Sequence, residues 1–183
     1  MHTRSLPAFA MAAVVAISSP TVAADDCQAL LAEHLRTDLD LSYEAFDQTM
    51  DAGFRPLASA GCHREAATLI QAYIEHNGAE QRSLKWHVAQ LLAMADERTE
   101  AVRWARAALV EREDFDARPL RWNDYVLATV AFLERDAERL HHHRDQVALG
   151  ADAHPGNRMN LRLLDNLVRH LDQGYAYALR NIE

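Results

Sequence analysis

Gly61-Cys62-His63-Arg64-Glu65-Ala66-Ala67-Thr68-Leu69-Ile70-Gln71-Ala72-Tyr73-Ile74-Glu75-His76 places apolar side chains at 66, 67, 69, 70 and 73. That three-to-four-residue spacing makes one buried stripe on an α-helix. Gly61 can end a short helix over residues 56–60, and Asn77-Gly78 supplies the left-handed stop on the far side. Two helices joined by a tight turn are therefore expected, and the chain repeats the arrangement in both directions.

Downstream, residues 80–95 carry Leu84, Val88, Leu91, Leu92 and Ala95 on one face. A break at Asp96-Glu97-Arg98 leads into a helix over residues 99–110. Its seam of Ala101, Ala105, Ala108 and Leu109 is narrow enough for another helix to approach closely. Residues 111–121 are charged and contain Pro119, which suits a loop, and Asn123 is a candidate cap for the next helix. Residues 125–133, Tyr-Val-Leu-Ala-Thr-Val-Ala-Phe-Leu, are apolar on every side. A buried strand would also read this way, but no other segment alternates apolar and polar residues to pair with it. A central helix enclosed by others is expected. Helices over residues 137–149 and 158–171 come next, the second capped by Asn157, with a loop between them and a short turn at residues 175–182. Upstream, a helix runs from Asp25 or Asp26 to about Arg36, and residues 37–56 hold at most a short helix near Tyr43–Phe46. The expectation is one all-α domain, residues 25–183, of antiparallel helix pairs.

The 61–74 segment resembles the second half of a tetratricopeptide repeat. Gly61, Ala66, Ile70 and Ile74 match that motif, and Tyr73 departs from the small residue the family places there. Ala101, Ala108 and Leu109 repeat the pattern 35 residues on, with Asp96 in place of Gly, and Leu140, Val147 and Ala148 form a third copy offset by 39. The Trp-Leu-Gly-Tyr signature of the family's first helices is missing. The resemblance, over roughly residues 50–150, implies either a short right-handed superhelix or a compact bundle. A superhelix would turn the first helix of each pair toward a concave groove for a protein or peptide. The groove residues it implies are Arg55 and Ser59, then Trp86 and Gln90, then Trp122, Tyr125 and Thr129. In a compact bundle Trp86, Trp122 and Tyr125 are core residues instead. Residues 119–136 also look like a segment of small exported proteobacterial proteins.

Arg4 ahead of the apolar run at residues 6–17, followed by small residues up to Ala24, has the three parts of a secretory signal peptide over residues 1–24. The run is too short for a membrane anchor. Asp25-Asp26 before Cys27 does not fit a lipidation site, so no membrane anchor is expected after cleavage. Lys85 is the only lysine among 19 basic residues, which together with abundant Ala suggests a GC-rich bacterial genome and a periplasmic or secreted protein. In such a compartment Cys27 and Cys62 are expected to form one disulfide. A net charge of −8 argues against nucleic acid as a partner.

His141-His142-His143 cannot close on a single metal, because adjacent helical residues point about 100° apart. Glu138, His141 or His142, and Asp145 share one face at metal-ligand spacing. Interleaved Arg135, Arg139 and Arg144 make that face equally an ordinary solvated surface. Neither a zinc-protease, a nucleophile-elbow nor a phosphate-loop motif occurs, and no cofactor is implied. The functional expectation is an exported protein–protein interaction module without catalytic activity. The alternative is a periplasmic enzyme or divalent-metal-binding protein using the His- and acid-rich helix at 134–145.

Overall fold

The computed structural model describes residues 24–181; the expected signal peptide, residues 1–24, lies outside them except for Ala24, the first residue of α1. The helices are α1 (Ala24–Thr37), α2 (Arg55–Ser59), α3 (His63–Asn77), α4 (Arg82–Met94), α5 (Arg98–Ala107), α6 (Trp122–Leu133), α7 (Ala137–Leu149), α8 (Pro155–Arg169) and α9 (Tyr175–Arg180). One turn of π-helix at Glu44–Gln48 sits between α1 and α2. The described residues contain no strand, so the protein is all-α.

Three hairpins, α2–α3, α4–α5 and α6–α7, turn in the same way. Gly61, Asp96 and Arg135 each adopt a left-handed backbone, with φ of 82°, 61° and 61°. The next amide reaches back five residues in every case: Cys62 to the Leu57 carbonyl at 2.9 Å, Glu97 to Leu92 at 2.8 Å and Asp136 to Ala131 at 2.9 Å. These are the bonds that satisfy the last carbonyls of a helix before the chain reverses. Only the first turn uses glycine; Asp96 and Arg135 hold a conformation that costs an L-residue roughly 1–2 kcal/mol. Five residues after each left-handed position stand Ala66, Ala101 and Leu140, and seven further on stand Tyr73, Ala108 and Val147, all buried.

The hairpins stack in chain order, α3 on α4 and α5 on α6, and α8 packs on both α6 and α7. The α5 seam of Ala101, Ala105 and Ala108 is fully buried, as are Ala128 and Ala131 on α6, so these helices meet with little between them. Eight of the twelve residues of α6 are buried, in agreement with its all-round apolar sequence. Its two β-branched valines therefore sit in a helix, since tertiary enclosure outweighs their strand preference.

α1 lies on α2 and α3 and is bonded to them through the Cys27–Cys62 disulfide, whose Cα atoms are 5.4 Å apart. Gln28 Nε2 also donates to Glu65 Oε1 at 2.8 Å. A closed loop of this length contributes about 3–4 kcal/mol through the unfolded chain. No helix of the described residues is long and apolar enough to cross a membrane. With the disulfide, that is compatible with an extracytoplasmic protein.

Two expected caps turn out to do other work. α6 begins at Trp122, and Asn123 bonds both polar groups of Val110, accepting from its amide at 3.0 Å and donating to its carbonyl at 2.8 Å. α8 is capped by His154, whose Nδ1 accepts from the Gly156 amide at 3.0 Å, with Pro155 at the first helical position. Asn157 is fully buried. Its amide nitrogen donates to the carbonyls of Pro119 at 2.7 Å and Gly150 at 2.8 Å, and its oxygen accepts from the Arg121 amide at 2.8 Å. One side chain thus ties the residues just before α6 to the α7–α8 turn. Gly150 leaves room for it, because a Cβ there would stand 2.8 Å from Asn157 Nδ2.

Asp96→Gly should stabilise the protein by about 0.5–1 kcal/mol, since the backbone strain relieved exceeds the entropy added to the unfolded chain. The exposed Asp96–Arg98 pair lost with it contributes little. Gly61→Ala should destabilise by a similar amount, and urea unfolding of the two variants checks both signs.

Candidate functional site

The seven residues expected to line a groove stand on α2, α4 and α6, which meet in turn: Phe54 at the head of α2 lies against His87 of α4, and Trp86 of α4 against Trp122 and Tyr125 of α6. Trp86 and Tyr125 are each 5% exposed and Thr129 is 3% exposed. Ser59 is exposed, whereas Arg55, Gln90 and Trp122 are half-buried. The aromatic members have found one another. Trp86 meets Trp122 edge to face at 5.7 Å and Tyr125 at 5.2 Å, and Trp122 lies 6.2 Å from Tyr125. Such pairs add about 0.5–1.5 kcal/mol to the area they bury. The Trp122 indole N–H donates to the Ala108 carbonyl at 2.8 Å, which fixes its orientation. Thr129 returns its hydroxyl to the Tyr125 carbonyl at 3.1 Å, so it offers nothing outward. The middle of this face is therefore core, as a compact bundle requires.

What closes it further is α9, an element the sequence suggests only as a terminal turn. α9 packs on α8 and comes back across to α4. Tyr175 is 4% exposed, its ring 6.1 Å from Phe132 of α6, and α9 brings it up to Gln90 of α4. Asn166 of α8, also buried, anchors the helix by donating its side-chain amide to the Ala178 carbonyl. Burial pushes the Tyr175 hydroxyl up to about 12, the Gln90 hydrogen bond working the other way. Burial likewise raises Tyr125, which borders Tyr175 and bonds Trp86 and Gln90. Gln90 is therefore a polar neighbour of both tyrosines. Its second contact is a side-chain pairing of Oε1 with His87 Nδ1 at 3.3 Å.

His87 leads on to the α2 end of the face. Its Nε2 is 3.3 Å from Oδ1 of the fully buried Asp47, although no hydrogen-bond donor is aligned on that oxygen. Asp47 Oδ2 takes the side-chain amide of Gln48. Arg55 is committed to the Asp47 backbone carbonyl through Nε at 3.1 Å and Nη2 at 2.8 Å, and its guanidinium covers the Phe54 ring at 4.5 Å. Phe54 in turn flanks His87 at 5.3 Å. Arg55 thus props the π-turn rather than reaching outward.

The alternative metal set does not assemble. Among the described residues no three of His, Cys, Asp or Glu come within reach of one ion. Glu138, His141 and His142 are exposed, and Asp145 Oδ1 accepts from Arg144 at 2.9 Å. His143, the half-buried member of the triplet, pairs with Asp124 at 3.0 Å and so joins α7 to α6.

Comparison with protein-family models, with curated proteins and with solved structures yields no match to this chain.

Truncating Trp86 removes a ring held by Trp122 and Tyr125, so Trp86→Ala should cost about 3–5 kcal/mol of stability in a chemical melt. Acid should also weaken the fold through two histidines. Burial, chiefly, holds His87 below its ordinary value, with Asp47 opposing and Arg55 assisting. Burial and then Arg180 hold His63 down as well, against Glu65. The unfolded chain binds these protons more readily, so the histidines' contribution is complete above about pH 6.5 and is lost as pH falls toward their lower folded values. The urea midpoint should drop between pH 7.5 and 5.5, and His63→Gln with His87→Gln should flatten that dependence.

Proposed function

We propose that the protein is an exported, extracytoplasmic interaction module of tetratricopeptide-like hairpins, without catalytic activity of its own, and that α9 is an internal occupant of its first-helix face. A partner's short segment replaces α9 there. The observation that carries this reading is the burial of Tyr175 against Phe132 where α9 returns to α4: the face accepts a short helix through one aromatic anchor.

The energetics favour exchange. A six-residue helix has no stability alone. Burying Tyr175 and Ala178 contributes about 2–3 kcal/mol. Ordering each residue of the segment costs about 1–2 kcal/mol, so α9 is held weakly beside the hairpins. The N-terminal charge, apolar run and small residues support export, as does the Cys27–Cys62 bond. The recurring left-handed turns at 61, 96 and 135 support the repeat reading.

In-cell photo-crosslinking from a probe at Ser59 tests the module, comparing the native protein with Tyr175→Ala. A discrete protein adduct whose yield rises several-fold in Tyr175→Ala is the expected result. No adduct from either protein, with both folded by circular dichroism, overturns the reading.

A further inference from the structure

Beyond the stretch that α9 covers, the first-helix face opens again where α4 and α6 begin. A cavity of about 620 Å³ lies there, bordered by Arg82 of α4, Trp122 of α6, Arg112, Arg118 and Pro119 of the intervening loop, and His154 at the start of α8. That volume is in the range of small-molecule sites. We infer that this cavity binds a small organic anion, a flat aromatic or heteroaromatic body carrying a carboxylate or phosphate.

Charge is the first reason. In a chain of net charge −8, three arginines border one cavity. Among the described residues none of the three guanidiniums has an ion pair; Arg82 has only the Trp122 ring, 5.3 Å from its carbon. The other arginine of this region, Arg121, is occupied by Asp124 at 3.7 Å and by the Phe115 ring at 4.3 Å. Two acids, Glu113 and Asp114, also border the cavity and keep their charge, so three arginines exceed them by one, and one oxygen of each acid is turned into the loop. Glu113 Oε1 accepts from the Asn123 amide at 3.0 Å, and Asp114 Oδ1 accepts from the amides of Asp116 and Ala117 at 3.2 Å each. The excess of guanidinium over carboxylate at the cavity favours an anion there. Guanidinium forks suit carboxylate and phosphate oxygens in particular.

Shape is the second. The Trp122 ring cannot swing away, since its N–H is bonded to Ala108 and its edge is packed on Trp86 and Tyr125. It forms a rigid aromatic wall beside the arginines, the combination that receives a flat ring bearing a charge. The loop forming the other walls is held in place by Asn157 at Pro119 and Arg121 and by Asn123 at Val110. His154 accepts the Gly156 amide through Nδ1, so its neutral form carries the proton on Nε2 and adds a donor. The indole and the loop ends are thus fixed, and the three arginine side chains are exposed around them.

Isothermal titration of the full mature chain with four probes tests this: benzoate, phenyl phosphate, neutral benzyl alcohol and inorganic phosphate. At least one aryl anion should bind one-to-one with a Kd of about 1 mM or tighter. Benzyl alcohol and inorganic phosphate should each bind at least about tenfold more weakly, and Arg82→Gln and Arg118→Gln should each weaken the aryl anion by about tenfold or more. Arg158→Gln, an exposed change elsewhere on α8, should leave binding unaltered. Tighter phenyl phosphate assigns the ligand as a phosphate ester, and tighter benzoate as a carboxylate. Saturation by neither aryl anion, affinity unchanged in both cavity variants, or benzyl alcohol or inorganic phosphate binding as tightly as the aryl anion overturns the proposal. The two variants lie on the surface, so their unchanged melting temperature separates lost binding from lost fold.

Discussion

A helix that is apolar on every side has to be enclosed, and α6 imposes that demand on the whole chain. No single neighbour can cover it. α7 covers one side through the hairpin turn at Arg135, α5 covers another through its alanine seam, and α8 packs against a third. The face turned toward α4 is closed by aromatic rings, with Trp86 against Tyr125 and Trp122. The rest falls to α9, which sets Tyr175 beside Phe132. The C-terminal helix is thus positioned by a requirement set about fifty residues earlier in the chain.

That closure divides the first-helix face into three zones with different chemistry. At the α2 end, the buried Asp47, His87 and Arg55 brace a π-turn. In the middle, Trp86, Trp122 and Tyr125 form an aromatic core, and Tyr175 joins it from α9 against Phe132. At the start of α4 and α6, three arginines and the fixed indole of Trp122 border one cavity. Trp122 belongs to both of the last two zones, packed on one side and bordering the cavity on the other. A shift of α9 that moves Tyr125 would therefore be felt at the cavity through a single pair of rings.

The hairpins are legible in the sequence because their signals are local. Apolar spacing locates every helix from α3 to α8, and Gly61 and Gly78 mark turns that do adopt left-handed backbone. The repeat register also locates the turn at Asp96, where the residue type alone would not. The caps mislead because Asn123 and Asn157 have the right side chain in the right place for a cap, while their actual partners lie 13 and 38 residues away. No local pattern distinguishes those uses. The site is harder still. The register places Trp86, Trp122 and Tyr125 on the first-helix face, but whether that face is open depends on where α9 folds back. A six-residue helix with two buried side chains carries almost no sequence signal for that. The arginines of the cavity stand at 82, 112 and 118, and only the folded loop brings them to one place.

The central claim is that α9 is a separable cover, held more weakly than the hairpins it closes over. Native-state amide hydrogen exchange tests this residue by residue. If the claim holds, the amides of residues 178–180 exchange through a local opening at least about a hundredfold faster than those of residues 126–133, which open only with the whole fold. Equal protection of α9 and α6, with both exchanging at the rate of global unfolding, would contradict it and make α9 an inseparable part of the core.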